Sequence, residues 1–297
     1  MRVLHIDTGA EMRGGQRQVL LLLRLLRNAR HDSILLARRD SPLTEQARQD
    51  GFCVHPAGLF ATWRFSKNVD IVHAHDARAH TLAAIASRKR FVVSRRVAFP
   101  VRRSLLSRWK YWRATRFLAV SRFVARQLSE AGISHKKIDV VYDGVESTAL
   151  SESWEPEFPA VALASEDPQK GRDLISQAAR ISGIPVLFSN DLVRDLRRAS
   201  MFVYITRSEG LGSAVLLAMS MGVPVIASRV GGLKETVSGV FTENTPEKIA
   251  AAMKSIISSP QLAACLSEGG KSRIKKSFTA EHLLRRTMES YARALAG

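Results

Sequence analysis

"SEGLGSAVLLAMSMGVPVIAS" runs from Ser208 to Ser228, and after Glu209 it carries nineteen residues without a charge. That is nearly long enough to cross a bilayer. Gly210, Gly212, Gly222 and Pro224 interrupt it, however. It reads better as three pieces: a glycine turn, a short buried helix (213–221) and a buried strand, "VPVIAS" (223–228). A strand, "MFVYIT" (201–206), stands immediately before it.

Outward from this stretch, short apolar runs alternate with longer amphipathic ones. "AVALAS" (160–165) and "IPVLFS" (184–189) read as strands, with a helix at 170–182 between them. Helices at 246–258, 260–270 and 279–295 finish the chain. Towards the N-terminus, "RVLHID" (2–7), "DSILLA" (32–37), "FCVHPA" (52–57), "DIVHAH" (70–75), "RFVVS" (90–94), "RFLAVS" (116–121) and 137–145 read as strands. Helices are expected at 15–29, 43–50, 77–88, 102–115 and 122–132. Such alternation argues for α/β architecture, with parallel sheets covered by helices on both faces. "ESTALSESWEPEFPA" (146–160) breaks the pattern with four Glu, two Pro and no basic residue. It marks a domain boundary. Two doubly wound, Rossmann-like domains are expected, 1–147 and 148–297, facing each other across a cleft. The last helix is a candidate to cross back to the first domain.

The chain has 297 residues, of which 45 are Lys or Arg and 27 Asp or Glu, a formal net charge of +18. Such a field attracts anions: phosphorylated small molecules, nucleic acid or an anionic membrane surface. The only cysteines, Cys53 and Cys265, are far apart. They read as small buried hydrophobes in a reducing compartment, not as a disulfide or zinc site. The N-terminus begins as a strand and lacks the apolar stretch of a signal peptide. A cytoplasmic location is expected.

Four constellations carry chemistry. Gly14 and Gly15, in "TGAEMRGGQRQV" (8–19), let the backbone approach a ligand closely where a helix begins. Amide groups and the helix dipole there favour a phosphate or a polar sugar; a tight turn without a ligand has the same pattern. In "DIVHAHDARAH" (70–80), His73 and His75 point to one side of a strand, followed by Asp76. No third imidazole stands at a recognised spacing, so no metal is expected. A His hydrogen-bonding a sugar hydroxyl or phosphate, or a structural His, are the alternatives.

Thirdly, fourteen Lys and Arg lie between Asp76 and Glu130, with no acidic residue among them. Within that run, Leu105, Leu106, Trp109 and Trp112 share one helical face, flanked by Arg102, Arg103, Arg108, Lys110 and Arg113. This is either a core-facing helix with a solvated basic side or a surface that docks on anionic lipid. No nucleic-acid recognition motif accompanies the charge. Fourthly, the amides of Leu211, Gly212 and Ser213 head the helix inside the opening stretch. With Ser208, Gly210 and Gly212 they form a turn suited to a diphosphate. Glu209 is then either a carboxylate over the ligand or a helix cap.

"SEGLGSAVLLAMSMGVPVIASRVGGLKETV" (208–237) resembles the hallmark segment of the retaining, GT-B-fold glycosyltransferases of the group 1 or family 4 type. "RGGQRQVLLL", "DIVHAHDARAHTLA", "AVSRFVARQLSEAGI" and "VVYDGVE" resemble that family's N-terminal domain. The resemblance implies transfer of a sugar from a nucleotide diphosphate-sugar to an acceptor, with no metal and no cofactor. The acceptor expected is a cell-envelope glycan or a lipid-linked sugar, as in polysaccharide or lipopolysaccharide synthesis. It implies donor-sugar contact by Glu209 and diphosphate binding by Lys170 of "PQKG". Gly14 and Gly15 would lie near phosphate and acceptor, and His75 would contact the transferred sugar.

Three positions depart from the family pattern. Leu217 stands where a second Glu holds the nucleotide ribose. Ser165 stands where an Arg binds the diphosphate, a role that Arg172, Arg207 or Arg229 could take over. Asp143 replaces an Asn. The interval from Lys170 to Glu209 is also short, as though about one βα unit were absent from the donor domain. A degenerate member acting as a partner subunit, or a basic membrane- or nucleic-acid-binding module, are the alternative readings.

Overall fold

The computed structural model describes residues 1–98, 104–146 and 151–296. It divides into two compact units, Met1–Asp143 with Ala280–Gly297, and Gly144–Thr279.

In the first unit, the apolar runs become, among the described residues, seven strands: β1 (Arg2–Asp7), β2 (Asp32–Ala37), β3 (Cys53–Pro56), β4 (Ile71–Ala74), β5 (Phe91–Arg95), β6 (Arg116–Ala119) and β7 (Ile138–Val140). They form one sheet in the order β3-β2-β1-β4-β5-β6-β7, every pairing parallel. The helices that connect them in turn are α1 (Gly14–Asn28), α2 (Pro42–Gln49), α3 (Leu59–Phe65), α4 (Ala77–Ala86), α5 (Leu105–Arg113) and α6 (Arg122–Glu130). Side-chain caps at Ser41, Asp76, Ser104 and Ser121 start α2, α4, α5 and α6 by accepting first-turn amides. The chain moves one way across the sheet from β1 to β3 and the other way from β3 to β7. Right-handed crossovers therefore put α1 and α2 on one side and α3 to α6 on the other.

Among its described residues the second unit has five parallel strands: β8 (Ala160–Leu163), β9 (Val186–Ser189), β10 (Met201–Tyr204), β11 (Val225–Ser228) and β12 (Val240–Thr242). Their order is β12-β11-β10-β8-β9. Its helices are α7 (Arg172–Ser182), α8 (Leu192–Asp195), α9 (Ser213–Ser220), α10 (Leu233–Thr236), α11 (Pro246–Ile257) and α12 (Pro260–Ser277). Thr245 with Pro246, and Ser259 with Pro260, start the last two as cap and first-turn proline. The uncharged run 210–228 is a turn, then α9, then β11, all packed within this unit. Among the described residues no single helix is long and apolar enough to cross a membrane.

The closing helix, α13 (Ala280–Ala296), belongs to the first unit, where it packs on α1, β5 and β6. Leu283, Tyr291 and Ala294 join Val3, Leu22, Leu26, Ile71, Val92 and Leu118 in one apolar cluster. Burying a side chain of this size contributes roughly 1.5–3 kcal/mol.

One expectation needs correction. Cys53 and Cys265 are exposed, not buried. Cys53 lies on β3, the edge strand, where one side of the ladder has no neighbour, and Cys265 lies on the outer side of α12. Of the two readings of the basic helix, the core-facing one is not met: α5 contains no buried residue. Arg102 and Arg103 lie outside the described residues.

Candidate active site

In a doubly wound sheet, ligands bind at the carboxyl ends of adjacent strands whose connections leave to opposite sides. In the first unit those strands are β1 and β4, and in the second β8 and β10. All the candidate catalytic residues lie at these two places.

In the first unit, β1 leads through Thr8–Arg13 into α1, which begins at Gly14 and Gly15. Asp7 ties this loop down, accepting from the Gly9 amide at 2.9 Å and from Gln16 Nε2 at 3.1 Å. Burial, with Asp76 nearby, pushes the Asp7 carboxyl above the usual range. Asp76 is a cap: it accepts the Arg78 and Ala79 amides and also the amide and hydroxyl of Thr8.

His75 is buried at the end of β4. Its Nε2 shares a hydrogen bond of 3.0 Å with His5 Nδ1, and its Nδ1 lies 3.5 Å from Arg96 Nη1. His73 shares that side of the sheet, its ring 3.9 Å from that of His75. It is held between Tyr291 Oη at 2.6 Å and Ser94 Oγ at 2.8 Å.

His5, beside His73 in the β1–β4 register, is the third imidazole that spacing alone did not reveal. Their ligand nitrogens lie within 4.8 Å of one another, a grouping that invites a metal. The donor chemistry does not fit one. Both nitrogens of His73 are engaged by hydroxyls, and a guanidinium stands beside His75. Only His5 Nε2 lacks a partner among the described residues' buried ring nitrogens. Burial holds all three imidazoles well below the usual histidine range, His5 at about 3, so the cluster is neutral.

Arg96, also missed in the sequence, follows β5. Its Nε pairs with Asp143 Oδ1 at 3.1 Å, both side chains being largely buried. Its stem lies 3.8 Å from where a Cβ on Gly15 would stand. The unexpected acid at 143 is thus matched by a cation beside the start of α1.

In the second unit, Lys170 ends a short 3-10 turn after β8, and Glu209 follows β10. Lys170 Nζ lies 2.8 Å from Glu209 Oε2 and 2.9 Å from Tyr204 Oη. The Tyr204 hydroxyl also donates to that same Oε2. Burial, and then the Glu209 charge, push the phenol well above its usual range, so it stays a donor. Glu209 Oε1 accepts its own neighbour's amide, Gly210, at 3.0 Å. Glu209 does not cap α9, whose cap is Gly212 at φ +96°. Ser208, Gly210, Leu211 and Gly212 form the turn, and Ser213 opens α9.

A second glycine pair clamps that turn. A Cβ on Gly231 would stand 2.1 Å from Glu209 O, and one on Gly232 would stand 1.9 Å from Gly210 O. The Gly232 amide donates to Glu209 O at 3.0 Å, and Thr236 Oγ1 to Leu211 O at 2.9 Å. Backbone can approach this closely only where side chains are absent.

Three arginines were candidates to replace the cation missing at Ser165. Arg172 pairs with Glu166 at 3.1 Å and lies over Phe188. Arg229 lies over Phe241, and the Arg207 side chain is exposed. Leu217 is a half-buried apolar residue on α9. On α5, Arg108, Trp109, Trp112 and Arg113 are exposed. Lys110 departs from the expected outward position. It is half-buried and donates to Ala77 O at 3.1 Å and Thr81 Oγ1 at 3.2 Å, tying α5 to α4.

The profile described as Glycosyltransferase Family 4 matches residues 12–149, and that described as Glycosyl transferases group 1 matches residues 134–259. An uncharacterized glycosyltransferase, MJ1178, of Methanocaldococcus jannaschii is 25% identical over 255 residues, 71% of this chain and 72% of that protein. A trehalose synthase of Rubrobacter xylanophilus is 29% identical over 147 residues, 48% of this chain, and the match spans only 33% of its own length. Anabaena Alr3699/HepE, solved in complex with UDP, shares the fold with a TM-score of 0.86 at 16% identity. That likeness covers 98% of this chain and 100% of the other. The same Anabaena protein is also solved in complex with UDP-glucose.

Proposed function

We propose that this chain, which belongs to the group 1 and family 4 glycosyltransferases and has their GT-B fold of two Rossmann-like domains, is a retaining, metal-independent enzyme. It moves a sugar from a nucleotide diphosphate-sugar to a cell-envelope glycan or a lipid-linked acceptor. The observation that carries this reading is the Lys170–Glu209 pair, at the switch point of the second sheet and beside the glycine turn of α9.

The chemistry asks for such a pair. The leaving group is a diphosphate, so a cation and preorganised amides that meet its growing charge lower the barrier most. Lys170 and the amides of Leu211, Gly212 and Ser213 supply these. The sugar loses electron density at its anomeric carbon, and Glu209 orients it by accepting from its hydroxyls. His75, neutral through burial, hydrogen-bonds a hydroxyl of the transferred sugar and takes no formal charge. Arg96, its charge matched by Asp143, offers guanidinium N–H donors beside Gly15, where a phosphate or an acceptor group approaches. The donor base is read as uracil, a reading supported by the UDP and UDP-glucose complexes of the structurally similar Anabaena protein.

Isothermal titration with UDP, GDP and ADP tests this, followed by release of sugar from the matching nucleotide-sugar. Failure of all three nucleotides to bind overturns it. A second reading rests on Leu217 and Ser165: a member that binds nucleotide without turnover and serves as a partner subunit. Tight UDP binding with no transfer or hydrolysis on any UDP-sugar would favour it.

A further inference from the structure

Thirteen large apolar side chains are exposed among the described residues, and eight of them lie on three consecutive helices: Leu59, Phe60 and Trp63 on α3, Ile85 on α4, and Leu105, Leu106, Trp109 and Trp112 on α5. Several are almost fully in solvent: Leu105 is 82% exposed, Leu106 79%, Trp112 72% and Phe60 69%. Scattered single exposures are ordinary, but a contiguous set marks an interaction surface.

The three helices form one layer. β3 to β4, β4 to β5 and β5 to β6 all step the same way across the sheet, so α3, α4 and α5 lie on the same side. α3 packs on α4, and α4 on α5, through Lys110 Nζ to Ala77 O and His80 Nε2 against Lys110 O. The side chains that point away from the sheet therefore share one outer face.

The charge on that face has one sign. Arg64, Lys67, Arg88, Lys89, Arg108 and Arg113 are exposed on or beside these helices. Lys67 Nζ stands 4.2 Å, and the Arg88 guanidinium 5.1 Å, from the Trp63 ring. Between Asp50 and Glu130 the only acids are Asp70 and Asp76. Both are occupied by the fold, Asp70 accepting the Arg2 amide and Asp76 capping α4.

We infer that the α3–α4–α5 layer docks on the surface of an anionic lipid bilayer. Aromatic and leucine side chains enter the headgroup boundary, and the basic rim meets the lipid phosphates. The charge complementarity selects this occupant. An apolar face that paired with a second copy would bring two basic rims together and repel. The inference stands apart from the transfer reaction, because none of these residues is a member of the Lys170 or His75 clusters.

Vesicle co-sedimentation of the full chain tests it, with phosphatidylcholine alone against phosphatidylcholine mixed with phosphatidylglycerol. Anionic lipid should raise partitioning by at least about tenfold, and added salt should reverse the gain. Phe60→Ser with Trp63→Ser, and Trp112→Ser with Leu105→Ser, should each lower binding severalfold. Because these side chains are exposed, thermal midpoint and nucleotide binding should stay as in the parent. Equal partitioning to both vesicles overturns the inference, as does full binding by both double variants. So does a concentration-dependent dimer that the same variants abolish, or retention on an acidic protein matrix without vesicle binding.

Discussion

The ammonium of Lys170 meets the carboxylate of Glu209 at 2.8 Å although they are thirty-nine residues apart in sequence. β8 and β10 are neighbours in the sheet, so the loops that leave them end side by side. Under the proposed function the two charges serve different parts of one substrate, and that difference can be measured. Lys170→Ala should weaken UDP binding at least about tenfold and lower turnover by a hundredfold or more, as loss of one oxyanion donor does. Glu209→Ala should abolish turnover while nucleotide alone binds as well or better. Calorimetry with UDP and a coupled sugar-release assay separate the two, and equal effects of both variants on UDP affinity would refute the division of roles.

Tyr204 holds this pair in place. Its hydroxyl contacts both Lys170 Nζ and Glu209 Oε2. Tyr204→Phe keeps the ring on β10 and removes only the hydroxyl. A hydrogen bond to a charged group is worth about 1.5–3 kcal/mol, or roughly ten- to a hundredfold in rate. The expected signature is a fall in kcat with little change in UDP affinity. An unchanged kcat would show that the hydroxyl is a bystander.

Gly231 and Gly232 position the Glu209 turn by leaving it room. Gly232→Ala places a methyl against Gly210 O. Either the turn moves or the α10 segment does. The cost is roughly 1–3 kcal/mol of stability, and activity should fall well beyond what the loss of folded protein explains. Thermal unfolding beside kcat measured at low temperature distinguishes the two, and a fully active Gly232→Ala enzyme would sink this account.

The first unit should be sensitive to mild acid. His5, His73, His75 and His80 are buried and neutral, with His5 and His80 held at about 3. Arg96 faces His73 and His75, and Lys110 and Arg95 face His80, which reinforces the neutral forms. In the unfolded chain each imidazole takes a proton near pH 6.5. Below that pH the unfolded state binds more protons, so stability is full above about 6.5 and falls as pH drops towards the folded-state values. The slope is up to about 1.4 kcal/mol per pH unit for each group. Asp7, whose carboxyl is raised, works in the opposite sense but is a single group. The urea midpoint should fall between pH 7 and pH 5; a flat profile would contradict the neutral cluster.

Much of this was legible because the alternation of apolar runs is strong. β1 and β2 stand where "RVLHID" and "DSILLA" were read. Lys170 and Glu209 sit in loops, where a charged residue among glycines is conspicuous. Tyr204 and His5 were not legible, since each lies within an apolar strand and becomes chemical only through its neighbours in space. Arg96 was hidden in a run of fourteen basic residues. The glycine pair 231–232 was visible, but the backbone it accommodates was not. The apolar face of α5 reads the same whether it meets a core or a surface. Only the packing of α4 beneath it decides.

The course of α13 has a consequence for how the chain tolerates cutting. The second unit leaves the first at Asp143 and returns at Ala280. Its own two ends lie together, Val145 bonded to Phe278 O at 2.9 Å and bridged to Thr279. It is in effect a guest inserted into a host whose last helix is supplied after the guest is complete. Deleting Ala280–Gly297 would therefore leave the second unit's own residues complete and open the one that begins the chain. Val3, Leu22 and Ile71 would lose their cover, and His73 Nδ1 its phenol partner.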